Sequence, residues 1–167
     1  MSAITGIYTF NRTMPIEQGK SILKSLQRYY ADNSSFWCKG SVFLGSHTRW
    51  ITSESVGESL SYYHEEKQLV IAADCILDNR EELIHILHLR TSDRKRLSDS
   101  QLIVEAYQKW GEETPVHLLG DFSFIIWDKK KKLFFGARYF SAAELYIFKK
   151  IMIKLLFVQP LSLYYIC

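Results

Sequence analysis

Apolar residues recur along this chain with two periods, and the switches between them mark where strands give way to helices. Residues 4–10 read as a first strand. Pro15, preceded by Thr13 and Met14, opens a helix, because the amide that proline lacks has no helical acceptor there. Ile16, Ile22, Leu23, Leu26 and Tyr30 keep approximate helical spacing and predict one buried face. Short β-like runs follow at 41–44, 48–51, 59–63 and 68–73, separated by Gly, Ser and charged residues that read as turns. Asp78 with Glu81 resembles a capping box and starts a helix carrying Leu83, Ile84 and Leu87 on one side. Ser98 with Gln101 repeats the device ahead of Leu102, Ile103, Ala106, Tyr107 and Trp110, and Gly111 supplies a left-handed stop. Two apolar runs, 124–127 and 133–135, flank the lysines at 129–132 as a hairpin with a solvated turn.

Strands with helices interspersed, and no βα alternation, predict an α+β domain with helices covering antiparallel sheets rather than a doubly wound parallel sheet. At 167 residues one domain is expected. The charged fraction of 23% and hydrophobic fraction of 47% are those of a globular chain, which argues against disorder. The net charge of +3 is mild and the basic residues are spread out apart from the hairpin lysines, so no nucleic-acid partner is expected. Cys38, Cys75 and Cys167 are odd in number and lack metal-like spacing, which points away from a disulfide framework or zinc site and fits a reducing cytoplasm. His85 and His88 lie three apart without a completing ligand set and read as helix surface, so no metal is expected. Cys75 reads as an inert buried thiol. No signal peptide is visible at the start, and the apolar stretch 151–166 is interrupted by Lys154 and Pro160, so no membrane span is expected.

Five segments carry a more specific message: Met1-Ser2-Ala3-Ile4-Thr5-Gly6-Ile7-Tyr8, His47-Thr48-Arg49-Trp50, Asp78-Asn79-Arg80-Glu81-Glu82-Leu83, Ser98-Asp99-Ser100-Gln101, and the run 119–128 from Leu119-Gly120-Asp121 to Trp127-Asp128. In this order they resemble the landmarks of class II glutamine amidotransferase domains of asparagine synthetases, over about residues 1–140, with 119–128 the most specific. The resemblance implies an N-terminal-nucleophile fold, a four-layer αββα sandwich of two antiparallel sheets flanked by helices. In active members of that family Met1 is removed and the exposed cysteine attacks the side-chain amide of glutamine, its own α-amino group serving as base. Arg49 matches the arginine that pairs with the α-carboxylate of glutamine, and Asp99 matches the acid that holds its α-ammonium. Both also admit a structural reading, Arg49 as an internal ion-pair partner and Asp99 as part of a helix cap.

This chain departs from the family at the places where chemistry is done. Ser2 and Ala3 stand where the family has cysteine and glycine, and a hydroxyl is a much weaker nucleophile than a thiol. Tyr29-Tyr30-Ala31-Asp32 replaces an Arg-Gly-Pro-Asp loop, keeping only the aspartate. Ala73-Asp74 aligns with the Asn-Gly pair of the oxyanion hole, so an amide donor is absent and a carboxylate is present. Losing one such donor costs about 3 kcal/mol of transition-state stabilisation. The echo of the family continues through Ala137-Arg138 and Leu145-Tyr146, but no pyrophosphate-binding loop occurs in the sequence. The expected organisation is therefore an amidotransferase-like domain at 1–150 and a divergent tail at 151–167, read either as an extra strand pair or as an altered end. No cofactor is expected in this chain, since ATP and magnesium would belong to a missing synthetase domain. Three roles compete. The first is a degenerate scaffold for an ATP-dependent synthetase domain or subunit, as in the similar N-terminal domains of β-lactam synthetases and lasso-peptide cyclases. The second is an amidase using Ser2, and the third is an amino-acid-binding module in which Arg49 and Asp99 hold glutamine or a relative.

Overall fold

The computed structural model describes residues 2–10, 12–28, 30–52, 55–56, 62–89, 97–139, 147–151 and 154–158, with backbone alone at 28, 62, 147–151 and 154–158. Two antiparallel sheets form the centre. The first contains β1 (Ala3–Thr9), β2 (Asn33–Lys39), β3 (Val42–Thr48), β8 (Ile147–Ile151) and β9 (Lys154–Val158), in the order β2-β3-β1-β9-β8. The second contains β4 (Tyr62–His64), β5 (Leu69–Leu77), β6 (Gly120–Asp128) and β7 (Leu133–Arg138) in sequential order. Helix α1 (Ile16–Ser25) covers the first sheet, and α2 (Arg80–Ile86) and α3 (Asp99–Trp110) cover the second.

Three apolar layers hold these four tiers together, one of them formed by Ile7, Met14, Leu23, Leu26 and Phe43 between α1 and the first sheet. Ile4, Val42 and Leu44 from the first sheet meet Val70, Ala72, Ile125 and Trp127 from the second, closing the space between the sheets. Leu69, Ile71, Ala73, Phe124 and Ile126 point the other way and pack under Leu83, Ile84, Leu102, Ile103 and Tyr107 of the helices. Alternate residues of one strand thus serve two cores, as the period of two requires. The αββα sandwich expected from the sequence is the observed architecture.

The element boundaries differ from expectation where polar or small residues decide the packing. Strand β2 is unforeseen because, as an edge strand, it mixes exposed and half-buried positions and sets the short run Phe36-Trp37-Cys38 between polar residues Asn33, Ser34, Ser35 and Lys39. The run at 48–51 leaves the sheet after Thr48, and Ile51 is exposed. Ile16 and Tyr30, expected on the buried face of the first helix, are exposed, while Gly19 and Leu23 face the sheet. Gly19 does so because a Cβ there would lie 2.2 Å from the Phe43 ring. Asp78 does not cap α2. Asn79 occupies that position without a side-chain cap bond; its amide instead donates to the His117 carbonyl at 3.0 Å and accepts from Leu119 N–H at 3.1 Å. The capping box at Ser98 and Gln101 and the turn at 129–132 are as expected. Residues 59–61 of the expected strand at 59–63 lie outside the described residues.

The division drawn at 150/151 falls inside β8. The backbone at 147–151 and 154–158 forms a hairpin, and β9 pairs with β1 from Thr5↔Val158 to Thr9↔Lys154. Strand β1 is thereby enclosed by β3 and β9. Residues 159–167 lie outside the described residues.

Candidate active site

Ser2 stands at the head of β1, on the same inward-facing row as Ile4, and is buried. Strand β3 runs antiparallel beside it, with Ala3 opposite His47, so the chain leaving β3 passes Ser2 at Thr48 and Arg49. The Arg49 backbone N–H donates to Ser2 Oγ at 3.2 Å. From the opposite sheet, Asp74 continues the inward row of Val70 and Ala72 and brings its carboxylate to Ser2, accepting from both the Ser2 N–H and the Ser2 hydroxyl. Burial pushes the Asp74 carboxyl above the usual range; these two hydrogen bonds and the positive chain terminus act against that push, while Asp121 adds to it. The two sheets are therefore joined at this end by a polar contact rather than an apolar one.

Alternation along β5 divides the Ala73-Asp74 pair. Ala73 is fully buried in the helix-side core, on the face of the sheet turned away from Ser2, so only Asp74 reaches the site. The same alternation was available in the sequence, since Val70 and Ala72 define the row that Asp74 continues.

Ser2, Thr48, Arg49, Asp74, Cys75 and Ile76 line a small open pocket together with Ile51, Thr52 and Ser55. Thr48 is buried, and its hydroxyl has no hydrogen-bond partner among the described residues. Thr48 stood in the landmark His47-Thr48-Arg49-Trp50 without a role of its own, while Thr52 and Ser55 escaped sequence reasoning because they resemble ordinary loop residues. Cys75 is only half-buried and reaches this pocket, in place of the fully enclosed thiol expected. Its neighbours Asp74 and Ile76 sit on the opposite row of β5, at the point where the strand approaches the end of the sheet.

Arg49 is held from behind by the segment that replaces the family loop. Its guanidinium lies over the Tyr30 ring at 5.6 Å. Asp32 accepts from Trp50 N–H at 2.9 Å and from the Tyr30 hydroxyl at 3.1 Å, and the Asp32 N–H donates to the Thr48 carbonyl at 2.8 Å. The surviving aspartate thus fixes the backbone on both sides of Arg49.

Asp99 stands apart from this pocket's lining. Buried at the first turn of α3, it accepts from Leu77 N–H at 2.9 Å and pairs with Arg80, which also donates to the Leu97 carbonyl at 2.7 Å. Both carboxylate oxygens are engaged in tying the end of β5 to α2 and α3. His85 lies exposed in the last turn of α2. Among the described residues no group of His, Cys, Asp and Glu could hold a metal ion, and no helix is long and apolar enough to cross a membrane.

The arrangement has recognisable relatives. A protein of known structure, glutamine phosphoribosylpyrophosphate amidotransferase from B. subtilis, superposes with a TM-score of 0.67 over 93% of this chain and 41% of its own, at 13% identity, a likeness of fold. Asparagine synthetase [glutamine-hydrolyzing] 3 of Bacillus subtilis (strain 168) is 28% identical over 142 residues, which make up 83% of this chain and 23% of that protein. Asparagine synthetase [glutamine-hydrolyzing] of Zea mays is 31% identical over 107 residues, or 64% of this chain and 18% of its own length. The chain spans about a quarter or less of these two asparagine synthetases. The sequence model of the glutamine amidotransferase domain family matches residues 47–159, from the end of β3 through β9. With that match covering more than half of the chain, and two antiparallel sheets stacked as in the solved amidotransferase, this chain belongs to the class II glutamine amidotransferase domains and is related to the asparagine synthetases.

Proposed function

We propose that this domain has lost glutamine hydrolysis and serves as a scaffold for an ATP-dependent, amide-forming synthetase domain or subunit. The observation that carries this reading is the Asp74 carboxylate directed at Ser2. Acyl transfer at a buried nucleophile develops negative charge beside it and needs donors there, not a carboxylate. Serine in place of a thiol lowers nucleophilic power further. ATP and magnesium would act on the partner, which must activate the carboxyl group, and the amine would come from the partner's substrate rather than from glutamine. The cytoplasm is the compartment that fits free thiols and such a partner.

The test is ammonia release from glutamine by the purified protein. No release above buffer is expected for the wild type or for Ser2→Cys alone. Ser2→Cys combined with Asp74→Asn restores a thiol and removes the opposing charge, and is expected to release ammonia at least about 100-fold faster than Ser2→Cys, the scale of one oxyanion donor. Ammonia release by the wild type that disappears in Ser2→Ala would overturn the scaffold reading in favour of a serine-dependent amidase. That second reading draws support from Ser2, Thr48 and Arg49 lining one pocket, the Thr48 hydroxyl having no hydrogen-bond partner among the described residues. A calorimetric signal with glutamine but no hydrolysis would instead support an amino-acid-binding role.

A further inference from the structure

We infer that Asp74 is a built-in counter-ion for the chain's own amino terminus: once Met1 is removed, its carboxylate clamps the α-ammonium of Ser2 and keeps that amine from serving as a base. This deepens the scaffold reading and rests on it. The nitrogen in question is the one that already donates to Asp74 as the Ser2 backbone N–H, so removal of Met1 changes its charge without moving it. The Ser2 hydroxyl donates to the same carboxylate while accepting from Arg49 N–H, which fixes the residue at two further points. Ser2 is 2% exposed with Met1 attached; enclosure by itself disfavours an ammonium, so the charged form depends on the carboxylate beside it. An opposite charge within hydrogen-bond reach favours the charged form of an amine. The hydroxyl and the amine of Ser2 could form a nucleophile-base pair only if the amine were neutral. Asp74 opposes that neutral state. The other charged groups around this contact are Asp121 on β6, whose field also favours the ammonium, and Arg49 just after β3, which lines the same pocket while its guanidinium lies over the Tyr30 ring.

The experiment reads the amine itself. Intact mass first establishes whether Met1 is absent. The rate of α-amine acylation by a limiting water-soluble acylating reagent is then followed against pH, at the amino-terminal peptide. In the wild type the half-rate pH is expected to lie at least one unit above the ordinary α-amine value of about 8. Ser2→Ala keeps the amine and the carboxylate and should retain most of this shift, whereas Asp74→Asn should return the midpoint to about 8. Retention of Met1 in the wild type, or an ordinary midpoint there, overturns the clamp, and the wild-type reading needs no variant to fold. An ordinary midpoint with no ammonia release refutes the clamp while sparing the scaffold. Ammonia release that persists in Ser2→Ala, together with a raised midpoint, refutes the scaffold while sparing the clamp; release that needs Ser2 refutes both.

Discussion

Asp74 and Asp99 are two carboxylates of one strand-helix neighbourhood, the first half-buried and the second buried, with opposite consequences for stability. Asp99 has a guanidinium partner and a backbone donor, so removing it leaves Arg80 without its counter-ion and Leu77 N–H without its acceptor. Breaking such a buried pair from one side costs several kcal/mol. Asp99→Ala is expected to lower the unfolding free energy by about 3 kcal/mol in urea titrations. A loss below about 0.5 kcal/mol would return Asp99 to the ligand-binding role that the family resemblance suggests. Asp74 behaves differently because burial raises its pKa in the chain that retains Met1. A carboxyl raised in the folded state binds protons more readily there than when unfolded, so its contribution to stability falls as pH rises from the ordinary carboxylate value through the folded one. In a form whose amino-terminal extension prevents processing, Asp74→Asn is therefore expected to raise the thermal midpoint at pH 7. The gain should vanish below about pH 4, where the carboxyl is protonated in both states. A constant difference across that range would show that shape rather than charge separates the variants.

The helical elements are placed by contacts that depend on absent atoms as much as on present ones. Helix α1 has few buried side chains of its own, and Gly19 is one of its two buried residues. The Phe43 ring occupies the space where a Cβ at position 19 would be. Alanine gains about 1 kcal/mol of helix propensity over glycine, but overpacking a fitted contact costs about 1–3 kcal/mol. Gly19→Ala is expected to be destabilising by about 1 kcal/mol in chemical denaturation, against the sign that propensity alone gives. Helix α3 is specified locally by its capping box and needs no such fit at its start, since Ser98 accepts from Gln101 N–H while Gln101 accepts from Ser98 N–H.

At the scale of the whole molecule, the hairpin β8-β9 decides whether β1 is an inner strand or an edge. Because β1 carries Ser2, the hairpin also bears on the site. Removal of residues 147–167 would leave the β1 edge unpaired from Thr5 to Thr9. Unpaired inner strands template association with other chains. Such a truncation is expected to elute as aggregates in size-exclusion chromatography, whereas removal of 159–167 alone should leave the elution volume of the full chain. A monomeric, folded truncation at 146 would show that β1 does not depend on its neighbour.

Local signals in the chain were sufficient for the elements whose instructions are contiguous: the capping box at Ser98, the stop at Gly111, the lysine turn and the apolar strands β5, β6 and β7. The ordered landmarks likewise implied the αββα layering and the family, because a resemblance carries topology that periodicity does not. Edge strand β2 and the bare N-cap of α2 were not legible, since an edge tolerates polar residues and Asn79 serves a partner about 40 residues away. The resemblance named Ser2, Arg49 and Asp74, but how they share one site was decided by tertiary structure. Ser2, Thr48 and Asp74 are distant in sequence and share a surface only because two sheets stack with their inward rows facing. Which member of Ala73-Asp74 enters that surface depends on the side of the strand each occupies, and stacking fixes which side faces Ser2.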